Sequence, residues 1–362
     1  MRGLSRALAL AVLSLHPTAG AAPLPRVLIA DGLAPHALAR LSQGASLTDH
    51  HYSAEELARG ALAEFDAVLI RSSTRLGAAA IRAGVAGRLR VIGRAGVGVD
   101  NIELRAAEEG GVWVLNTPGA STASVVELTV AHLLAAARGL QAADVGMKSG
   151  RWLKGQIRMG TKGGPKLGHE LAGKKLGLLG FGRAARGVAR VASTLGMAVH
   201  ATSPALAAEE AAELGVQVEP TAEQLFSACS HVVVLCALNQ QTTGLVDRRM
   251  IDRMPQVGAD GTPCGSHLVN MARGGIVNED DVAAALDDGQ LSSYSTDVFA
   301  VEPPPPTTPL LRCEGFNGTP HIGGATFEAQ ARVGTQLVNA VLTVLDGGVP
   351  ADGVVVRGKV IS

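Results

Sequence analysis

The chain has 362 residues, 47% of them hydrophobic, with 32 basic and 32 acidic side chains and a formal net charge of zero. That length and apolar content imply about two globular domains and exclude disordered and fibrous classes. Balanced, scattered charge offers no basic face to nucleic-acid phosphates, so a small molecule is the expected ligand.

Residues 1–24 open the chain with Arg2 and Arg6 ahead of the apolar run Ala7 to Leu13, followed by small residues at Ala19 to Ala22. That layout is expected of a removable targeting segment. The run is too short to span a bilayer and no other stretch is long enough, so no membrane partner is expected. The expected location is cytoplasmic, or mitochondrial or plastid if the segment is cleaved.

From Pro25 onward short β-branched runs alternate with helical patterns, the order that yields parallel strands and an α/β fold. Strands are expected at Arg26 to Ala30, Ala67 to Ile70, Arg90 to Gly93 and Val112 to Leu115. A break at Asn116-Thr-Pro-Gly follows, then Ser121 as the N-cap of a long helix to Arg138 that leads into a second domain. A new strand series opens at Lys175 to Leu179 and continues through Val199, Val216, Val232 to Leu235, Leu268 to Ala272, Ser292 to Val298 and Gly315 to Thr319. Helix Phe327 to Leu345 then returns to the first domain, leaving 354–361 as a short tail.

Lys175-Leu-Gly-Leu-Leu runs into Gly180, Phe181, Gly182, Arg183, Ala184 and Ala185, a strand leading through GxGxxA into a helix. In that context the glycines are the mark of dinucleotide binding. Gly180 permits the tight turn, Gly182 leaves room for a pyrophosphate, and Ala185 keeps the helix near the strand. The helix N-terminus meets the phosphates with unpaired N–H groups.

Three polar residues end later strands. Arg273 follows Leu268 to Ala272, and its planar guanidinium suits a carboxylate with an adjacent carbonyl. Glu302 precedes the proline run Pro303 to Pro306, and His321 sits in Thr-Pro-His-Ile-Gly-Gly. Each alone reads more readily as structural; their joint placement at the carboxyl edge of one sheet describes an acid–base site.

Five ordered motifs carry a resemblance: Val91-Ile-Gly-Arg-Ala-Gly-Val-Gly-Val-Asp-Asn101, Asn116-Thr-Pro-Gly, Asn270-Met-Ala-Arg-Gly-Gly-Ile-Val-Asn278, Asp297-Val-Phe-Ala-Val-Glu-Pro-Pro and Pro320-His-Ile-Gly-Gly. Over about residues 26 to 350 the chain resembles the D-isomer specific 2-hydroxyacid dehydrogenases, nearest to their phosphoglycerate dehydrogenase branch. The resemblance implies a Rossmann-type doubly wound sheet (122–319) inserted into a flavodoxin-like α/β substrate domain (25–121 plus 320–362). It implies Arg273, Glu302 and His321 as catalytic residues: Arg273 orients a 2-oxo acid, and His321, favoured as imidazolium by Glu302, exchanges a proton with the C2 oxygen. It further implies cofactor contacts at Gly180, Gly182, Arg183, Ala184, Ala185, Ser203, Cys236, Met271, Ala272, Asp297, Gly323, Gly324 and Val97. Substrate contacts are implied at Arg71 and Ser72 and in the loop Arg94, Gly96, Val97 and Gly98. A homodimer built around the helix after Ser121 is also implied, with oxidation of 3-phosphoglycerate, the first step of serine biosynthesis, as the activity.

The chain departs from that pattern in several places. Ser203 stands where NAD-specific relatives carry an acid for the adenosine ribose, and no arginine follows in 204–208 to hold a 2′-phosphate. NAD is the expected cofactor, with NADP open. Cys236-Ala237 replaces Thr-Pro, and Gly160 to His169 and Gly258 to Gly265 read as added loop residues. Cys229, Cys236, Cys264 and Cys313 form no CxxC pair, so no disulfide framework and no metal site are expected from them. The chain stops soon after the returning helix, so a C-terminal regulatory domain is not expected. Hydroxypyruvate or glyoxylate reductase is the alternative enzyme; a dehydrogenase-like corepressor or a nucleotide-sensing protein is the alternative of another class.

Overall fold

The computed structural model describes residues 23–152, 154 and 168–359. Most of the expected targeting segment and of the added loop 160–169 lie outside the described residues.

Strands β1 (Arg26–Ile29), β2 (Ser46–Asp49), β3 (Ala67–Ile70), β4 (Val91–Arg94) and β5 (Trp113–Leu115) form one parallel sheet. It is completed by β13 (Val354–Val356) in the order β13-β5-β4-β3-β1-β2, with β13 antiparallel to β5. The order of β2-β1-β3-β4-β5 is the flavodoxin-like winding, which reverses between β1 and β3. A second sheet contains β6 (Lys175–Leu179), β7 (Ala198–Thr202), β8 (Gln217–Val218), β9 (His231–Val234), β10 (His267–Asn270), β11 (Ser293–Thr296) and β12 (Phe316–Gly318). All its pairings are parallel, in the order β12-β11-β10-β9-β6-β7-β8, a Rossmann-type winding that reverses between β6 and β9.

Strands covered on both faces carry apolar residues side by side instead of alternating with polar ones, as in Ala67–Ile70 and Val232–Val234. Every residue of β3, β4, β9 and β10 is buried. The two long helices close one face of each sheet. Helix Thr122–Arg138 sends Leu133 and Ala137 into one cluster with Leu176 and Leu178 of the nucleotide sheet and Val188 of the helix Arg183–Thr194. Helix Phe327–Leu345 sends Leu337 and Val341, both fully buried, against Leu69, Val91 and Leu115 of the first. Truncating Leu337 to Ala would cost about 2–5 kcal/mol. The two helices start side by side, with Ser124 Oγ and Thr326 Oγ1 2.8 Å apart, so the sheets meet where the chain passes twice between them.

Several expectations change. The tail expected at 354–361 contributes β13, three valines that cover the outer edge of β5. The strand expected to run to Ala272 stops at Asn270, because the Asn270 side chain accepts the Ala272 N–H at 3.1 Å and turns the chain out of the ladder. Ser121 occupies the N-cap position without a side-chain cap bond, since its ψ of 4° is not the extended geometry capping needs. A second helix, Leu140–Lys148, follows at once because Gly139, at φ 58°, breaks the first.

Candidate active site

Gly180 ends β6 at φ 94°, and a Cβ there would lie 2.6 Å from the Cys236 nitrogen. The turn is therefore wedged against the loop after β9, at the point where strand order reverses. A Cβ on Gly182 would meet nothing within 4 Å, while Ala185 is fully buried against the sheet. Helix Arg183–Thr194 begins there with no side-chain cap, so its first N–H groups remain for an anion. Arg183 and Ala184 lie in that first turn. Open space beside uncapped N–H groups fits a dinucleotide pyrophosphate. Ser203 comes just after β7, its Oγ accepting the Ala205 N–H at 3.4 Å. Burial pushes the Cys236 thiol up to about 11, so it faces this turn as a neutral group.

Glu302 and His321 are joined directly, with His321 Nδ1 and Glu302 Oε2 2.7 Å apart. The other Glu302 oxygen accepts the Phe299 N–H at 3.0 Å. Burial works against the Glu302 anion, but the His321 and Phe299 bonds and the charges of His321 and Arg273 outweigh it and hold the carboxyl below its ordinary range. His321 itself sits at φ 53°, a strained left-handed conformation for a non-glycine residue. Asp297 imposes it: Oδ1 accepts from Thr319 Oγ1 at 2.7 Å and the Ile322 N–H at 2.8 Å, and Oδ2 accepts the Gly323 N–H at 2.7 Å. Asp297, expected as a cofactor contact, thus also clamps the turn that presents His321, with Gly323 and Gly324 in it.

Arg273 leaves β10 through Met271 and Ala272, and Asn270 Nδ2 donates to its carbonyl at 3.0 Å. Its guanidinium reaches the first sheet, where Nε donates to Asp100 Oδ1 at 2.9 Å. Two glycines make this possible. A Cβ on Gly98 would stand 1.6 Å from Arg273 Nη2, and a Cβ on Gly274 would stand 1.9 Å from the Phe299 carbonyl oxygen, blocking the loop that carries Glu302.

The loop after β4 faces the same space. Arg94 is buried beneath Gly96; among the described residues its Nε has no hydrogen-bond partner and Nη1 reaches only the Ala95 carbonyl, at 3.3 Å. Burial, then the nearby Arg273 charge, lower its pKa to about 10, so it is still a cation at neutral pH. The Gly96 N–H, expected to meet substrate, instead donates to the Arg94 carbonyl at 2.9 Å, because the loop doubles back on itself. The Val97 and Gly98 N–H groups have no backbone partner among the described residues, and Asn116 Nδ2 fixes the loop by donating to the Val97 carbonyl at 2.7 Å. Arg71 and Ser72 follow β3 at the other reversal point. The Arg71 guanidinium has no carboxylate partner among the described residues.

Two residues not singled out from the sequence complete the site. Asp100 answers the Arg273 charge. Asp31, at the end of β1, accepts from the Arg71 N–H at 2.7 Å, the Thr74 N–H at 3.1 Å and the Thr74 hydroxyl at 2.7 Å. Asp100 lies inside the glycine motif quoted above; Asp31 carried no sequence signal beyond its place after a strand.

Comparison with known proteins agrees with this architecture. Residues 130–323 match the family described as D-isomer specific 2-hydroxyacid dehydrogenase, NAD binding domain. The hydroxypyruvate reductase of Thermotoga maritima is 36% identical over 82% of this chain and 89% of its own length. A D-3-phosphoglycerate dehydrogenase of Archaeoglobus fulgidus is 35% identical over 82% of this chain but 52% of its own. The chain thus spans about half the length of the phosphoglycerate dehydrogenases it first matches. A Thermus thermophilus protein of known structure, 30% identical, superposes with a TM-score of 0.79 over 91% of this chain and 100% of that one. The chain therefore belongs to the D-isomer specific 2-hydroxyacid dehydrogenase family, and its seven-stranded sheet is the NAD-binding domain.

Proposed function

We propose that the chain oxidises a D-2-hydroxy acid, with 3-phosphoglycerate as the preferred substrate. The observation that carries the dehydrogenase reading is the short His321–Glu302 bond facing a guanidinium that spans the cleft. Bound at the Gly180 turn, NAD supplies the acceptor for the C2 hydride. Arg273 holds the carboxylate and the C2 oxygen in its planar fork. With Nδ1–H donated to Glu302, His321 keeps Nε2 free to take the hydroxyl proton, and it returns that proton in the reverse direction. Glu302 stabilises the imidazolium that forms.

The phosphorylated substrate is favoured by charge. Arg71, Arg94 and Arg273 gather near one cleft, where Asp100 pairs with Arg273 and Glu302 with His321. Asp31 is taken up by the Arg71 and Thr74 N–H groups, so the Arg71 guanidinium keeps no carboxylate partner among the described residues and leaves an excess of cation on that side. A 2-hydroxy acid with a second anionic end answers that excess better than an uncharged tail. Hydroxypyruvate reduction is the second reading, favoured by the Thermotoga relative of nearly matching length. Initial rates of oxidation of 3-phosphoglycerate and glycerate with NAD or NADP, and of reduction of hydroxypyruvate and glyoxylate with NADH or NADPH, decide between them. We expect the highest kcat/KM with NAD and 3-phosphoglycerate. Faster reduction of hydroxypyruvate selects the second reading, and no turnover with any acid removes both.

A homodimer is part of the same proposal. Leu140, Val145, Met147 and Trp152 all stand exposed on and just after the second helix, an apolar surface of the kind an interface covers. Sedimentation of Val145→Asp as a monomer, with the unaltered chain a dimer, supports it; a monomeric unaltered chain overturns it.

A further inference from the structure

We propose that His169, His231 and His267 bind one divalent transition-metal ion of the zinc type at the amino-terminal edge of the nucleotide sheet. His231 and His267 are the first residues of the adjacent parallel strands β9 and β10 and pair in register, so their rings stack with centroids 4.6 Å apart. His169, held by its N–H to the Ala137 carbonyl at 3.0 Å, closes the triangle at 5.0 Å from His231 and 4.7 Å from His267. One nitrogen from each ring lies within 4.8 Å of the others, and His169 Nε2 and His231 Nε2 are 2.8 Å apart. The acid–base site follows the opposite ends of these strands, so this trio has no part in it.

Three imidazoles are a borderline-soft donor set that suits zinc, with solvent as a fourth ligand. Tetrahedral coordination at 2.0–2.1 Å places ligand nitrogens about 3.3 Å apart, which asks for side-chain movements on the order of 1 Å. The outer groups are in place. Ser230 Oγ lies 3.0 Å from His231 Nδ1 and Ser293 Oγ 2.6 Å from His267 Nδ1, so each ring can rest its remaining proton there while Nε2 faces the metal. His267 gives up its Nε2–H bond to the Cys264 carbonyl, 2.8 Å away, in exchange. Lys174 is the opposing charge nearby, and it is answered by Asp260 at 2.6 Å. Burial and Lys174 hold the His169 pKa down to about 4, so its ring is neutral at neutral pH and offers a lone pair. The ion would tie the segment entering β6 to the hairpin before β10, two places where the sequence carries added loop residues.

The competing account is a hydrogen-bonded histidine stack with no ion. Full-length chain stripped of metal by chelation separates the two when titrated with Zn2+ and, in parallel, Co2+. Expected are one bound equivalent, visible d–d bands of four-coordinate Co2+, and a thermal midpoint that rises until one Zn2+ per chain is reached. His169→Gln keeps a hydrogen bond to His231 but is a poor ligand. It should bind Zn2+ more than about 100-fold more weakly, extrapolating from losses of supporting residues, with NADH binding unchanged. Absence of saturable binding by the unaltered chain overturns the proposal, as does a Co2+ spectrum retained in His169→Gln.

Discussion

Apart from the antiparallel edge strand β13 both sheets are parallel, and the strand order reverses once in each, yet they equip their carboxyl edges differently. At the β6/β9 reversal the nucleotide sheet offers backbone: a positive-φ glycine, open space at Gly182 and an uncapped helix terminus. At the β1/β3 reversal the first sheet offers charge: Arg71 held by Asp31, with Arg94 buried nearby after β4. A dinucleotide carries its own charges and is met by fixed dipoles, whereas a small acid must be gripped by full cations. Arg273, rooted in one sheet and paired with Asp100 of the other, belongs to both. Catalysis therefore depends on the sheets being in register, and perturbing each side separately tests that division.

The largest effect is expected on the nucleotide side. His321→Ala removes the proton acceptor and should lower kcat about 10³-fold while NADH binding, read by fluorescence, stays within a few-fold. A variant retaining normal turnover would remove His321 from the mechanism. Next comes the junction. Gly98→Ala places a methyl 1.6 Å from Arg273 Nη2, and the flexible guanidinium moves aside at little cost to folding. Displacement of a binding group by about 1 Å should lower kcat/KM roughly 10²-fold with an unchanged thermal midpoint. Full activity in Gly98→Ala would mean that Arg273 does not act from this position.

The sequence spoke most clearly where covalent geometry dictates residue type. Gly180 had to be glycine, and Lys175 to Leu179 and Phe327 to Leu345 were bounded to the residue by apolar period and turn chemistry. Strand ends were less legible, because a side chain such as Asn270 can take a ladder bond and stop a strand whose apolar run continues. The edge strand β2, Ser-Leu-Thr-Asp, has no apolar run to notice. Motifs named Arg273 and the loop at Gly98, but not that one packs against the other, since no local pattern encodes a contact across 173 positions. For the same reason the histidine trio was invisible: His169 and His231 stand 62 residues apart and share no spacing rule.

Arg71→Gln probes the charged side. If its guanidinium meets the distal anion, KM for 3-phosphoglycerate should rise about 10–100-fold, the worth of a charge-assisted hydrogen bond, while KM for glycerate barely moves. Equal losses for the two acids would instead place Arg71 outside the phosphate subsite, and the first sheet would lose its claim to substrate choice.

The smallest effect is the most diagnostic of how that side is built. The Asp31 side chain is almost fully buried, which by itself would raise its pKa, but the Arg71 N–H and the Thr74 hydroxyl and N–H outweigh burial and leave it lowered. A carboxyl whose folded pKa lies below its unfolded value stabilises the fold at pH above the unfolded value, about 3.9, and loses that contribution as pH falls through the folded one. Asp31→Asn keeps the shape but removes the charge and turns an acceptor into a donor facing other donors, so at pH 7 it should cost about 1–3 kcal/mol. As pH falls through the lowered folded pKa the unaltered chain protonates Asp31 as well, and the gap between the two denaturation midpoints should narrow. If Arg71 meets the distal anion, Asp31 acts on it through the Arg71 backbone, and its loss should raise KM for 3-phosphoglycerate a few-fold and leave kcat in place. A fall in kcat instead would show that the strand end it anchors also sets the position of Arg94 and, through that cation, of Arg273.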